Sequence, residues 1–139
     1  MNTTFGTGRV AKKPIFDTTK NGVPRLSFQF AMDSSIKEGD EYLSYYVSVV
    51  VYGTRAMTMA EWLTVGSPLA ISGEQGTRTY DKNEVRQYYT FLRLDKYQRL
   101  ESRDLANLRK VNNEKPEVVD KGLDEEMGLP NVGRGYEDY

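Results

Sequence analysis

Tyr42-Leu43-Ser44-Tyr45-Tyr46-Val47-Ser48-Val49-Val50-Val51-Tyr52 decides the fold. β-Branched and aromatic residues fill it without an intervening Gly or Pro, the composition of a pleated, partly covered surface. Successive side chains of a strand point to opposite faces. One face collects Leu43, Tyr45, Val47, Val49 and Val51 and reads as core. The other collects Tyr42, Ser44, Tyr46, Ser48, Val50 and Tyr52. Large rings interleaved with serines suit a wetted surface carrying flat platforms better than a dry interior. Gly53 ends the strand.

Upstream, residues 26–33 alternate apolar with small or polar side chains, the period of a half-buried strand. This segment follows a turn at Lys20-Asn21-Gly22, and Lys37-Glu38-Gly39-Asp40 turns the chain into the quoted strand. Downstream, residues 54–66 lack a β-branched run, and Met59, Trp62 and Leu63 fall at the i, i+3, i+4 spacing of a helix face. Thr54 as N-cap and Gly66 as C-cap predict a helix of about three turns, with Trp62 in the core. Strand character resumes at residues 69–80, Asp81-Lys82-Asn83-Glu84 forms a hairpin loop, and a last strand runs over residues 85–100. With a first strand around Gly8-Arg9-Val10, the order is three strands, a helix and two strands. That is the outline of an all-β OB-fold: a five-stranded, partly open Greek-key barrel with one short helix between strands 3 and 4.

The chain has 139 residues, the length of one domain. It contains neither Cys nor His, which removes disulfides, thiolate metal sites and the commonest general base together. Residues 1–102 carry 13 Lys and Arg against 11 Asp and Glu, whereas residues 103–139 carry 6 against 9. The expected division is therefore a barrel over 1–102 and an acidic, largely disordered tail over 103–139, with Pro116, Pro130 and a thinning hydrophobic pattern. Neither a secretory signal nor an apolar run of membrane-spanning length is found, so a cytoplasmic location and no membrane partner are expected.

In the strand over residues 69–80, Leu69 and Ile71 point one way; Ser72, Glu74, Gly76, Arg78 and Tyr80 point the other. Arg78 and Tyr80 therefore share a face. A guanidinium pairs with phosphate or stacks on a base, and a phenol ring two residues away offers another π surface. Aromatics interleaved with cations on an open sheet are what unpaired nucleotides require, each stacked base being worth roughly 1–3 kcal/mol. Arg9, Lys12, Lys13, Arg55 and Arg86 are further candidates for backbone phosphates, as is Lys82. Gly6-Thr7-Gly8 is too short for a phosphate loop, and Asp124-Glu125-Glu126 reads as a solvated charge run. No catalytic residues, metal ligands or cofactor are expected.

These stretches together resemble the bacterial and phage single-stranded DNA-binding protein family over about residues 5–101. The similarity rests on Gly8-Arg9-Val10-Ala11-Lys12-Lys13-Pro14, Asn21-Gly22, Leu26-Ser27-Phe28 and Tyr52-Gly53 before the helix. It continues through Gly66-Ser67-Pro68-Leu69-Ala70-Ile71-Ser72-Gly73, Thr77-Arg78-Thr79-Tyr80 and the closing strand from Tyr88-Tyr89-Thr90. The resemblance implies base stacking at Tyr46, Tyr52 and Tyr80, joined by Tyr89, and backbone contacts at or near Arg78, Arg9 and Lys12. It implies a homotetramer or homodimer, and single-stranded DNA as partner in replication, recombination or repair. Tyrosine stands at 46 and 80, where tryptophan is common in the family. Family tails end in aspartates followed by Ile-Pro-Phe; this chain ends Tyr136-Glu137-Asp138-Tyr139, an acidic and aromatic ending suited to docking replication or repair proteins. Two other readings stay open: an adaptor of a replication-restart or conjugation complex that binds mainly protein, and a small nuclease.

Overall fold

A computed structural model describes residues 1–102, Leu105, Leu108 and Glu117–Val118. The elements are β1 (Thr4–Val10), β2 (Ile15–Thr18), β3 (Pro24–Glu38), β4 (Glu41–Tyr52), α1 (Thr54–Trp62), β5 (Pro68–Lys82), β6 (Val85–Arg99) and β7 (Glu117–Val118). Five of them, β1, β3, β4, β5 and β6, make the barrel in the order β1-β5-β6-β4-β3, and β1 closes it by also pairing with β3. The expected OB barrel with a helix before the last hairpin is thus present.

Closure depends on one position. Gly8 of β1 pairs with Met32 of β3 on one side and Leu69 of β5 on the other. A Cβ there would lie 2.0 Å from the Ala31 carbonyl oxygen, so only glycine lets the two edges approach. The interior is filled from every wall. Val10, Phe28, Phe30, Val49, Leu69 and Leu92 are all buried in one cluster, and Met59 and Leu63 of the helix region cap it. The alternation read from the sequence therefore places Val47, Val49 and Val51 correctly, with Val47 partly covered.

Several expectations are corrected. Gly53, with φ of 83°, is the N-cap and Thr54 is already helical; the helix ends at Trp62 with Leu63 as C-cap, not at Gly66. Gly66 sits instead in the turn back to the barrel, where its N–H donates to the Val10 carbonyl at 2.8 Å. Trp62 is half-buried at the margin of the core, with its ring 5.7 Å from Tyr97 and the Arg99 guanidinium 4.2 Å above it. The turn at Asn21-Gly22 joins β3 to β2, a four-residue strand that the sequence pattern does not reveal. Within the expected tail, Glu117–Val118 pairs in parallel with Ile15 and Phe16; the rest of the tail lies outside the described residues.

β6 contains an irregularity that alternation cannot foresee. Ser72 pairs with Lys96 and Gly73 with Leu94, so Asp95 is an extra residue in β6. The bulge reverses the parity of the strand: Leu92 and Leu94 point inward on one side of it and Tyr97 on the other. Arg55 donates to the exposed carbonyls, from Nη2 to Leu94 O at 3.2 Å and from Nη1 to Asp95 O.

Between β2 and β3 lies a buried ion pair. Arg25 and Asp17 are 1% and 3% exposed, cross-strand neighbours in the β2–β3 ladder. Arg25 Nε donates to Asp17 Oδ1 at 2.8 Å, and Nη2 donates to Oδ2. Removing one partner leaves an uncompensated buried charge. Arg25→Ala is expected to lower unfolding free energy by about 3–5 kcal/mol in urea titrations. At the β5–β6 tip, Asn83 and Glu84 have φ of 53° and 66°, as a two-residue type I′ turn demands. Asparagine tolerates this conformation; glutamate pays for it in Cβ crowding. Glu84→Gly is expected to stabilise the protein by about 1 kcal/mol, read as a higher Tm in thermal unfolding.

Candidate nucleic-acid interface

Among the described residues, β4 and β6 meet in a parallel ladder at Val49–Leu92 and Val50–Arg93. Before those rungs β4 keeps only β3, and β6 keeps only β5. The hairpins β3–β4 and β5–β6 therefore leave the barrel as two arms.

Register fixes which side chains share a surface, because directly paired residues point the same way. On the outer side of the β3–β4 arm, Arg25 pairs with Tyr52, Gln29 with Ser48 and Ala31 with Tyr46. On the outer side of β5–β6, Glu74 pairs with Arg93, Gly76 with Phe91, Arg78 with Tyr89 and Tyr80 with Gln87. The Val50–Arg93 rung joins the two rows. Tyr46, Tyr52, Tyr80 and Tyr89 consequently occupy one continuous face.

The four rings are not equivalent. Tyr46 is 67% exposed and Tyr80 37%, both open to a ligand. Tyr52 and Tyr89 are half-buried, packed on a small second cluster made by the buried Val50 and Phe91. Tyr89 stacks on Phe91 with centroids 6.1 Å apart and planes 17° from parallel. Packing on one side holds a ring flat and leaves its other side for a base. Val50 on this face is thus a buried foundation beneath the tyrosines rather than a wetted position.

The candidate cations divide. Arg78 lies across from Tyr89 on the tyrosine face. Arg9 pairs with Ala31, which pairs with Tyr46, so Arg9, Ala31 and Tyr46 form one outward row across three strands. Its Nη1 donates to the Gly66 carbonyl at 3.0 Å, which holds the guanidinium against the barrel. Lys12 and Lys13 follow in the connection to β2, Lys12 exposed and Lys13 half-buried. Arg55 is engaged with the bulge carbonyls. Arg86 pairs with Asp81 and falls on the reverse side of its arm, with Tyr88. Arg93, absent from the sequence reading, lies on the tyrosine face and bonds Glu74 Oε2 at 3.0 Å.

Tyr45 departs from its expected place in the core. It points to the core side of β4 opposite Met32, but β4 has by then run past the barrel end, and the residue is 53% exposed. Tyr136, Glu137, Asp138 and Tyr139 lie outside the described residues. Among the described residues, no three His, Cys, Asp or Glu side chains gather as a metal site. Nor, among them, is any helix long and apolar enough to cross a membrane.

The chain is similar to several known proteins. The single-stranded DNA-binding protein 1 of Streptococcus pyogenes is 34% identical over 131 residues, spanning 90% of this chain and 95% of its own length. Single-stranded DNA-binding protein 2 of Clostridium acetobutylicum is 29% identical over 114 residues, 81% of this chain and 86% of that protein. Among solved structures, the Plasmodium falciparum SSB complex with ssDNA matches with a TM-score of 0.64 at 18% identity, covering 73% of this chain and 96% of that one. The model of the single-strand binding protein family matches residues 1–100, and with the barrel and the relatives agreeing, the chain belongs to that family.

Proposed function

We propose that this protein binds single-stranded DNA without regard to sequence and protects it during replication, recombination or repair. One observation carries the reading: four tyrosines lie on one outer face of the barrel wall, in register with Arg9 at one side and Arg78 at the other. The Streptococcus and Clostridium relatives are named as single-stranded DNA-binding proteins, and the Plasmodium structure holds such a strand.

The physical mechanism follows from the face. Bases in a duplex hide their π surfaces in the stack, whereas an unpaired strand exposes them. Each ring that accepts a base gains roughly 1–3 kcal/mol, and because every base has a π face the gain is indifferent to sequence. Arg9, Lys12, Lys13 and Arg78 supply phosphate contacts and release condensed counterions. Arg55 and Arg86 join them only if they leave the carbonyls and the reverse side that they now occupy. No bond is made or broken, so the role is that of a binder rather than an enzyme. The protein acts as a homo-oligomer, dimer or tetramer, in the cytoplasm, and its acidic tail with Tyr136, Glu137, Asp138 and Tyr139 docks replication or repair proteins.

Tyr52 also covers Val50 and Phe91, so its test should keep apolar bulk. A variant carrying Tyr46→Ala, Tyr52→Leu and Tyr80→Ala, still folded by circular dichroism, is expected to lose at least about 100-fold in oligo(dT) affinity. Parental affinity in that variant would refute the face. In salt titrations, log K should fall linearly with log salt, and Arg78→Gln should flatten the slope by about 0.7.

A further inference from the structure

The two arms carry matched tyrosine pairs. Tyr45 and Tyr46 stand four and three residues before Val49; Tyr88 and Tyr89 stand four and three residues before Leu92. Val49 and Leu92 face each other in the parallel ladder. At about 3.3 Å per residue, each pair lies roughly 10–13 Å beyond the point where the arms part. Alternation then puts Tyr46 and Tyr89 on the outer side of the cleft, and Tyr45 and Tyr88 on the inner side.

The inner pair is open to solvent: Tyr45 is 53% and Tyr88 71% exposed. Their surroundings differ: Tyr45 lies opposite Met32 with Leu43 and Val47 on its side of β4, whereas Tyr88 has polar neighbours. In the ladder of β5 and β6 the residues on Tyr88's side are the Thr77–Thr90 pair, Thr79 opposite Tyr88 itself, and Arg86 opposite Asp81. Hydroxyls and a guanidinium around the Tyr88 ring, even with the one carboxylate of Asp81 opposite Arg86, suit a base and its phosphate, whereas a protein interface core favours aliphatic and aromatic bulk depleted of charge. Each inner ring is also the chain neighbour of a proposed stacking residue, on the opposite side of the same arm.

We propose that Tyr45 and Tyr88, with Arg86, form a second stacking site for single-stranded DNA on the inner side of the cleft, and that a long strand passes between the arms from the outer face to reach it. The proposal rests on the outer-face reading above and extends it to the path of the strand. Arg86, turned away from the outer tyrosines, has its phosphate here.

The test compares two double variants of the full chain on short oligo(dT), of about 8 nucleotides, and on poly(dT). Tyr45→Ser with Tyr88→Ser is expected to bind the short strand within about twofold of the parent, to weaken on poly(dT) by tenfold or more, and to occlude fewer nucleotides per protomer. Equal poly(dT) affinity and equal occlusion would overturn the inner site. Light scattering is read on the same samples: a change of oligomeric state accompanying the loss would assign the rings to a second copy of the chain and also overturn it. Tyr45→Phe with Tyr88→Phe keeps the rings and is expected to bind as the parent does; loss in that variant would exclude stacking. Tyr46→Ala with Tyr89→Leu, which keeps apolar cover on Phe91, is expected to fail on the short strand too. Parental short-strand binding there would sink the outer face, while the inner site is decided separately by the Tyr45 and Tyr88 variants on poly(dT).

Discussion

β1 has to serve two neighbours at once, and the close approach at Gly8 is what permits it. Pairing with β5 on one side and β3 on the other turns a sheet into a barrel, removing two open edges from solvent. Closure in turn brings Arg9 into line with Ala31 and Tyr46, and fixes the position of β4 against β6. Without it the tyrosines of β4 and Arg9 of β1 would belong to different surfaces.

In the proposed face, binding and stability share residues. Tyr52 and Tyr89 rest on the buried Val50 and Phe91, so the outer side of the wall has a small core of its own. Arg25 adds a polar support on the same side, clamped by Asp17 and paired in register with Tyr52. A binding ring that rests on packed neighbours loses little freedom when a base covers it, which favours affinity.

Much of this was visible in sequence because strand alternation is a rigid rule. The quoted tyrosine segment, the strand at residues 26–33 and the shared face of Arg78 and Tyr80 all follow from period two alone. What escaped did so for identifiable reasons. Ile15–Thr18 is too short to show a period, and its partner Arg25 looks like any surface cation until Asp17 is placed opposite it. Tyr45 sits at a core-parity position, but parity says nothing about where the core ends. The helix boundaries shifted because Gly53, already in a left-handed conformation, took the capping role that Thr54 was expected to fill.

The extra residue at Asp95 bears on how arms of this kind can vary in length. Adding or deleting a pair of residues at the Asn83-Glu84 tip leaves every ring on its own side, since parity is preserved. Losing Asp95 alone would leave Leu94 and Lys96 as successive residues opposite Gly73 and Ser72, removing the bulge while Tyr89 and Phe91 keep their side. The sidedness of the arm is therefore set by its pairing with β5, and the bulge, held by Arg55 at the Leu94 carbonyl, adds a local bend without changing which rings face outward.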